Sequence, residues 1–285
     1  MPLASNLAAD FATIMRVKLV ADPRAFQRAP IGSCVAGATY LMWCAARDLV
    51  GSLQWGIPSD RDVRDMFALM DFLEHPSLAR TGSVLMDCRD IQRVDADIMI
   101  GFVERARTQL PRWSPRIAAQ AVIVPAGVGG ILLAGGLPLL APTHPFRFVS
   151  TLDDAVAFLG HPGVRAAHAE ACAIATTVQG TLALVARARS AIAADLIGAS
   201  VEGCALALAV SGRTLQRELA RAGTSFSDEL RRARVAAAND ELRLGDAKFD
   251  VIATRTGFGT SSRMNEALRR ELGATARELR DRHRR

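Results

Sequence analysis

The residues best suited to do chemistry cluster in a short stretch after Val210. Ser211 is a good helix N-cap, since its hydroxyl can accept from a free amide of the first turn. Leu215 and Leu219 are four apart, which puts both on one side of the helix that follows. Arg213, Thr214, Gln216 and Arg217 are left on the other. Arginine can bond two guanine acceptors at once, glutamine can do the same with adenine, and serine or threonine can hold a phosphate. A second set has the same character: a cap cluster of Thr260, Ser261 and Ser262, followed by Arg263, Asn265, Arg269 and Arg270. This is the chemistry of groove reading, not of bond cleavage. No Ser/His/Asp or Cys/His constellation has supporting spacing, so no catalytic residue, metal or cofactor is expected. Surface or loop positions are the default for His75, His144, His161, His168 and His283. The five cysteines, 34, 44, 88, 172 and 204, are an odd number without any CxxC pair, which fits reduced thiols in a cytoplasm.

Charge separates these residues from the rest. Positions 181–285 hold 19 Lys+Arg against 13 Asp+Glu, the whole of the +6 excess, whereas 1–180 hold 16 of each. That asymmetry predicts a neutral module joined to one with a polyanionic partner. Fifty percent hydrophobic content over 285 residues excludes a disordered or fibrous chain and suits about two domains. The apolar run 121–142 nears membrane-spanning length, but Pro125, Pro138 and five glycines divide it, so a buried strand, loop and helix are expected and no membrane partner. Asp10 and Arg16 interrupt the apolar stretch near the start, so no signal peptide is expected.

The elements that must position these groups follow from periodicity. Strand-like runs are Cys34–Trp43, Leu49–Trp55, Ser83–Cys88, Ile117–Val124 and Phe146–Ser150, with a hairpin turn at Ala45–Asp48. Helices are expected after Ser59 (with Asp62 closing a cap), over Ala96–Gln109, over the Gly-rich Val128–Leu140, and over Leu152–Leu159 behind Thr151 and Asp154. The GVGG within that third helix (127–130) lacks the lysine of a phosphate loop, so tight packing is its simpler role. A mixed or partly parallel sheet covered by helices results. His161–Gly180 reads as a connection with a helical, Ala-rich middle. Beyond it come Ser190–Ala199, Val201–Ala209 capped by Ser200, the helix after Ser211, Phe226–Leu244, Phe249–Thr256, Arg263–Leu272 ended by Gly273, and a last helix opened by Thr275 and Glu278. Two helix-turn-helix units joined by one helix are the simplest arrangement.

Two family resemblances follow. Residues 185–281 are similar to the AraC/XylS family of bacterial transcription regulators. The matching residues are Ser211, Arg213, Thr214, Leu215, Gln216, Arg217 and Leu219, then Gly223–Phe226, then Arg234, Ala238 and Leu242, then Ile252, Ala253, Gly257 and Phe258. The resemblance implies double-stranded DNA as partner, with recognition helices Ser211–Arg221 and Ser261–Leu272 in the major groove. It also brings RNA polymerase and a second copy of the chain as candidate partners, with no effector identified. Glu266 stands where the family has arginine and would repel phosphate, so the first unit is expected to dominate readout. Residues 30–160 resemble a STAS domain, the fold of anti-sigma-factor antagonists, with Asp87 and Asp95 at its two acidic places. The expected organisation is a STAS-like regulatory domain over 1–160, a helical linker over 161–180 and a tandem helix-turn-helix domain over 181–285. The competing reading is a STAS-type interaction scaffold whose helix-turn-helix domain no longer reads DNA. Where phospho-switching STAS domains carry a serine or threonine, this chain has Ala96, which has no oxygen to phosphorylate. Phosphopeptide mapping should find no phosphate at this turn, and phosphate there would overturn the alignment.

Overall fold

The structure, a computed structural model, describes residues 17–125 and 142–284. The chain divides into two compact units with the boundary between Val178 and Gln179. The first is built on a seven-stranded mixed sheet in sequential order: β1 (Lys18–Leu19), β2 (Ser33–Ala36), β3 (Tyr40–Ala46), β4 (Leu49–Gly56), β5 (Gly82–Ile91), β6 (Ile117–Ile123) and β7 (Phe146–Val149). β2–β3 and β3–β4 pair antiparallel, and β4 to β7 run parallel to one another. The helices of this unit are α1 (Pro23–Arg28), α2 (Asp60–Leu69), α3 (Ala96–Trp113), α4 (Leu152–Leu159) and the first part of α5 (Val164–Ala194).

Two apolar cores sandwich the sheet, which is why its central strands are buried on both faces. Alternation along β3 sends Leu41, Trp43 and Ala45 into one core with α4 and α5, and Tyr40, Met42 and Cys44 into the other with α2 and α3. α2 starts where the sequence indicates, with a full capping box between Ser59 and Asp62, and Val63, Met66 and Phe67 of its apolar stripe are buried. α4 starts behind Thr151, whose hydroxyl accepts from the amide of Asp154.

Several boundaries differ from the sequence expectation, each for a local reason. Cys34–Trp43 is two strands, not one: the chain turns at Gly37, whose amide bonds the Tyr40 carbonyl. A Cβ at Gly37 would lie 2.3 Å from the Tyr40 ring, so any larger residue there would have to displace that ring. β5 runs on to Ile91, which leaves Asp87 inside the strand instead of at its end. α3 continues past Gln109 to Trp113, with Pro111, which has no amide to donate, in its last turn. Asp95 is the residue before α3, yet it makes no side-chain cap and pairs with Arg93 at 2.9 Å. The expected helix Val128–Leu140, and the GVGG within it, lie outside the described residues.

The segment read as a connection also holds more than a linker. α5 is long and apolar enough to cross a membrane by length and composition. Its apolar side, however, belongs to protein cores: Val164, Ala167, Ala171 and Ala175 close the first core, and Val185, Ala188 and Ile192 lie in a core of the second unit. Two histidines expected at the surface are buried. His144 bonds Ser114 Oγ through Nδ1 at 2.6 Å and Gln120 through Nε2 at 2.9 Å, and His168 meets Asp87.

Close packing is most exacting at Gly51 in β4, where an added Cβ would sit 2.3 Å from the Trp43 ring and 2.5 Å from the Leu85 carbonyl. Gly51→Ala is therefore expected to destabilise the first unit by about 1–3 kcal/mol through overpacking. Tryptophan fluorescence in urea reads this unit alone, because Trp43, Trp55 and Trp113 all belong to it. An unchanged midpoint would show that the Trp43 ring moves aside freely.

Candidate nucleic-acid interface

The second unit is all helical. After the end of α5 come α6 (Val201–Ala207), α7 (Gly212–Arg221), α8 (Phe226–Leu244), α9 (Phe249–Arg255), α10 (Ser261–Leu272) and α11 (Ala276–His283). Starts are set by short hydroxyl side chains. Ser200, Ser211, Ser225, Thr260 and Thr275 each accept from the amide three residues on. The turn between α6 and α7 passes through Ala209 in the left-handed region (φ 56°), and Gly273 ends α10 in the same region (φ 69°). α6 stops at Ala207, and α10 begins two residues before Arg263, each within the usual spread of helix ends. α5 ends at Ala194 instead of continuing to Ala199, because Asp195 turns its carboxylate onto the Gly198 amide at 2.8 Å.

Two small cores carry the two helix pairs. Leu215 and Leu219 of α7 pack with Cys204, Ala205 and Leu208 of α6 and with Val185, Ala188 and Ile192 of α5. Met264 and Leu268 of α10 pack with Ile252 and Ala253 of α9 and with Val235, Ala238 and Leu242 of α8. α8 thus supports the second pair, and it is joined to the first by ion pairs. Buried Glu229 receives Arg189 of α5 at 2.8 Å and Arg232 at 3.0 Å. Arg231 bridges Asp228 at 2.7 Å and Glu271 of α10 at 2.8 Å. Arg234 donates to the Leu196 carbonyl at 2.9 Å. Gly257 fits against the same place: its φ is +77°, and a Cβ there would lie 2.6 Å from the Leu196 carbonyl.

The sequence-selected side chains fall into two groups. Ser211 and Thr214 face each other across the α7 cap, with hydroxyls 2.9 Å apart. Arg213, Gln216 and Arg217 are exposed together, on the side of α7 opposite Leu215 and Leu219. Arg213 forms no ion pair among the described residues. Arg217 is steered by Glu218, which sequence reading passed over: Glu218 accepts from Arg217 Nε at 3.3 Å, from Arg221 at 2.7 Å and from Thr181 of α5 at 2.6 Å. Its position one residue before the apolar Leu219 was the available signal, since a carboxylate that close to the buried stripe needs partners.

In α10, Ser262, Arg263, Arg269 and Arg270 are exposed, and Ser261 is half-buried. Thr260 serves as the cap. Asn265 stands apart from them. Its amide donates to the Ser261 carbonyl at 3.0 Å within α10, and its oxygen accepts from the Ala276 amide at 2.8 Å, which holds α10 against α11. Glu266 is exposed among the arginines, on the face shared by Ser262 and Arg269.

Residues 204–282 match the family model for a helix-turn-helix domain. This region is a helix-turn-helix domain. No curated protein matches the chain. Solved structures similar to it include the following three. A DNA-binding transcriptional dual regulator from Escherichia coli K-12 shows 20% identity over 35% of this chain and 92% of that one, with a TM-score of 0.34. The C-terminal domain of AraT, a response regulator from Geobacillus stearothermophilus, shows 26% over 35% and 84%, TM-score 0.32. The DNA-binding domain of AdpA, a global transcriptional factor in complex with a target DNA, shows 27% over 36% and 92%, TM-score 0.31. The matched residues run from α6 through α11, so both helix pairs and α8 lie inside the helix-turn-helix domain.

Acid should loosen that domain in a defined direction. The hydrogen bond and charge of Arg189 hold the Glu229 carboxyl below its usual value, and the Thr181 hydroxyl does the same for Glu218. A depressed native value stabilises fully above the unfolded glutamate value, near about 4.3, and less as pH falls through the native one. Hydrogen exchange in α8, corrected for intrinsic rates, is expected to speed up between about pH 5 and 3. Glu229→Gln should remove most of that dependence, and an unaltered profile would place the acid-sensitive contact elsewhere.

Proposed function

We propose that the chain is a sequence-specific DNA-binding transcription regulator that reads the major groove with two helix-turn-helix units, the first dominant. The observation that carries this is the exposed trio Arg213, Gln216 and Arg217 on one face of α7, behind a serine cap and over a leucine-packed core. Arginine and glutamine at that spacing supply paired donors and an acceptor to base edges, while Ser211 and Thr214 at the helix start suit a phosphate. In α10, Arg263, Arg269 and Arg270 offer charge to the backbone, with Thr260, Ser261 and Ser262 at the helix start. Asn265 is occupied by α11, and Glu266 repels phosphate, so this helix contributes orientation more than readout.

The first unit is read as a STAS-like regulatory or interaction module without a phosphorylatable serine. Support comes from its parallel strands β4–β7 with interleaved helices, and from Asp95 and Ala96 at the start of α3. Glu266 favours the competing reading, an interaction scaffold with a degenerate DNA-reading domain, and one assay separates the two. In salt-controlled binding to promoter DNA against a random duplex, Arg213→Ala or Arg217→Ala is expected to reduce selectivity by about 1–3 kcal/mol. Arg269→Ala should instead weaken all duplexes alike and lower the salt slope by about 1. Equal weak binding to every duplex, indifferent to the α7 substitutions, would support the scaffold.

A further inference from the structure

Four of the five thiols are silenced by burial. Desolvation pushes Cys34, Cys44 and Cys88 up to about 12 and raises Cys204 as well. Cys172 differs: it is half-exposed on α5, one turn after His168. His168 is 5% exposed, and its Nε2 lies 2.8 Å from Asp87 Oδ2 on β5. The same carboxylate is held by Arg89, through Nε at 3.0 Å and Nη2 at 2.6 Å. Burial pulls His168 down, but its bonds to Asp87 and Cys172 win and raise it to about 9, so the imidazole is cationic at neutral pH. One buried carboxylate therefore faces two cations. Cys172 Sγ is 3.8 Å from His168 Nδ1 and 3.7 Å from Nε2, and among the described residues Nδ1 has no other partner. A half-exposed sulfur beside a fixed cation is the setting in which protein thiols react, whereas buried thiols stay inert.

We infer that Cys172 is a site of reversible oxidation by hydroperoxides, with His168 as the positioning residue that holds the sulfur and its oxidised product. Sulfur attacks one peroxide oxygen, so an S–O bond forms as the O–O bond breaks. Sulfur gives up two electrons, the peroxide is reduced, and the thiol proton leaves on the departing oxygen as water or an alcohol. The product is a sulfenic acid, whose anion lies beside the His168 cation; one small thiol then forms a mixed disulfide with loss of water, and a second releases the Cys172 thiol as a small disulfide forms. Asp87, itself held by Arg89, keeps the imidazole fixed and charged throughout, which is what distinguishes this thiol from one that merely reaches solvent.

The test uses the full chain with hydrogen peroxide as the probe, dimedone as the trap and peptide mass mapping as the readout. Labelling is expected at Cys172 at least tenfold above each other cysteine, to be reversed by prior reduction, and to vanish in Cys172→Ser. His168→Gln should slow it tenfold or more while the tryptophan unfolding curve stays cooperative. Uniform labelling of the five cysteines, or an unchanged rate in His168→Gln, would overturn the inference. Should that variant not fold, iodoacetamide on the unmutated chain at pH 7 decides. Alkylation of Cys172 tenfold faster in the folded chain than in urea supports the assignment, and an equal or slower rate refutes it.

Discussion

A carboxylate buried in a basic helical domain must find cations, and Glu229 is where that requirement sets the geometry. It lies 4% exposed near the start of α8 and is reached by Arg189 from α5 and by Arg232 from its own helix. An unpaired charge there would be costly, so α5 and α8 come together at one place and in one register. Glu218 repeats the device one helix earlier, receiving Thr181, Arg217 and Arg221. The face that α7 presents follows from these two contacts together with the leucines beneath it. Arg231 and Arg234 extend the scaffold to Glu271 and Leu196, which ties the second helix pair to the first.

The same pairs decide how much of the positive charge remains available. The second unit is rich in arginine, but many of its arginines are compensated: Arg189, Arg221, Arg231, Arg232, Arg243 and Arg255 all sit in ion pairs. Exposed pairs of this kind add little stability, yet each cancels a charge that would otherwise act on a polyanion. Arg213, Arg263, Arg269 and Arg270 have no such partner among the described residues. Uncompensated positive charge is thus exposed on α7 and α10, and also at Arg277 and Arg282 of α11.

Local chemistry was legible in the sequence; long-range pairing was not. The hydroxyl caps at Ser59, Thr151, Ser200, Ser211 and Thr275 were readable because a cap and its amide are three residues apart. Leucine spacing in α7 predicted its buried face for the same reason. Asp87 and His168 are 81 positions apart, and no spacing rule links them. His144, too, finds Ser114 and Gln120 only through the sheet. The Ala-rich stretch before Gly180 looked like a connection because alanine packs without a strong apolar signal, although Ala167, Ala171 and Ala175 close a core at helical spacing. Gly37 hid a turn inside an apolar run, since periodicity cannot show that a tyrosine ring fills the place of its missing side chain.

Asn265 sharpens the contrast between the two helix pairs. By position it looks like an adenine reader, a side chain with one donor and one acceptor on a recognition helix. Both are occupied, the donor by the Ser261 carbonyl and the acceptor by the amide that opens α11. Releasing it for a base would leave the Ala276 amide unpaired at a buried position, which costs more than a typical hydrogen bond returns. In α7 the corresponding polar residues, Arg213 and Gln216, have no internal duty among the described residues, and Arg217 is fixed only through Nε. The inequality proposed between the two units therefore has two independent causes. One is electrostatic, at Glu266; the other is the structural work that Asn265 does in holding its own domain together.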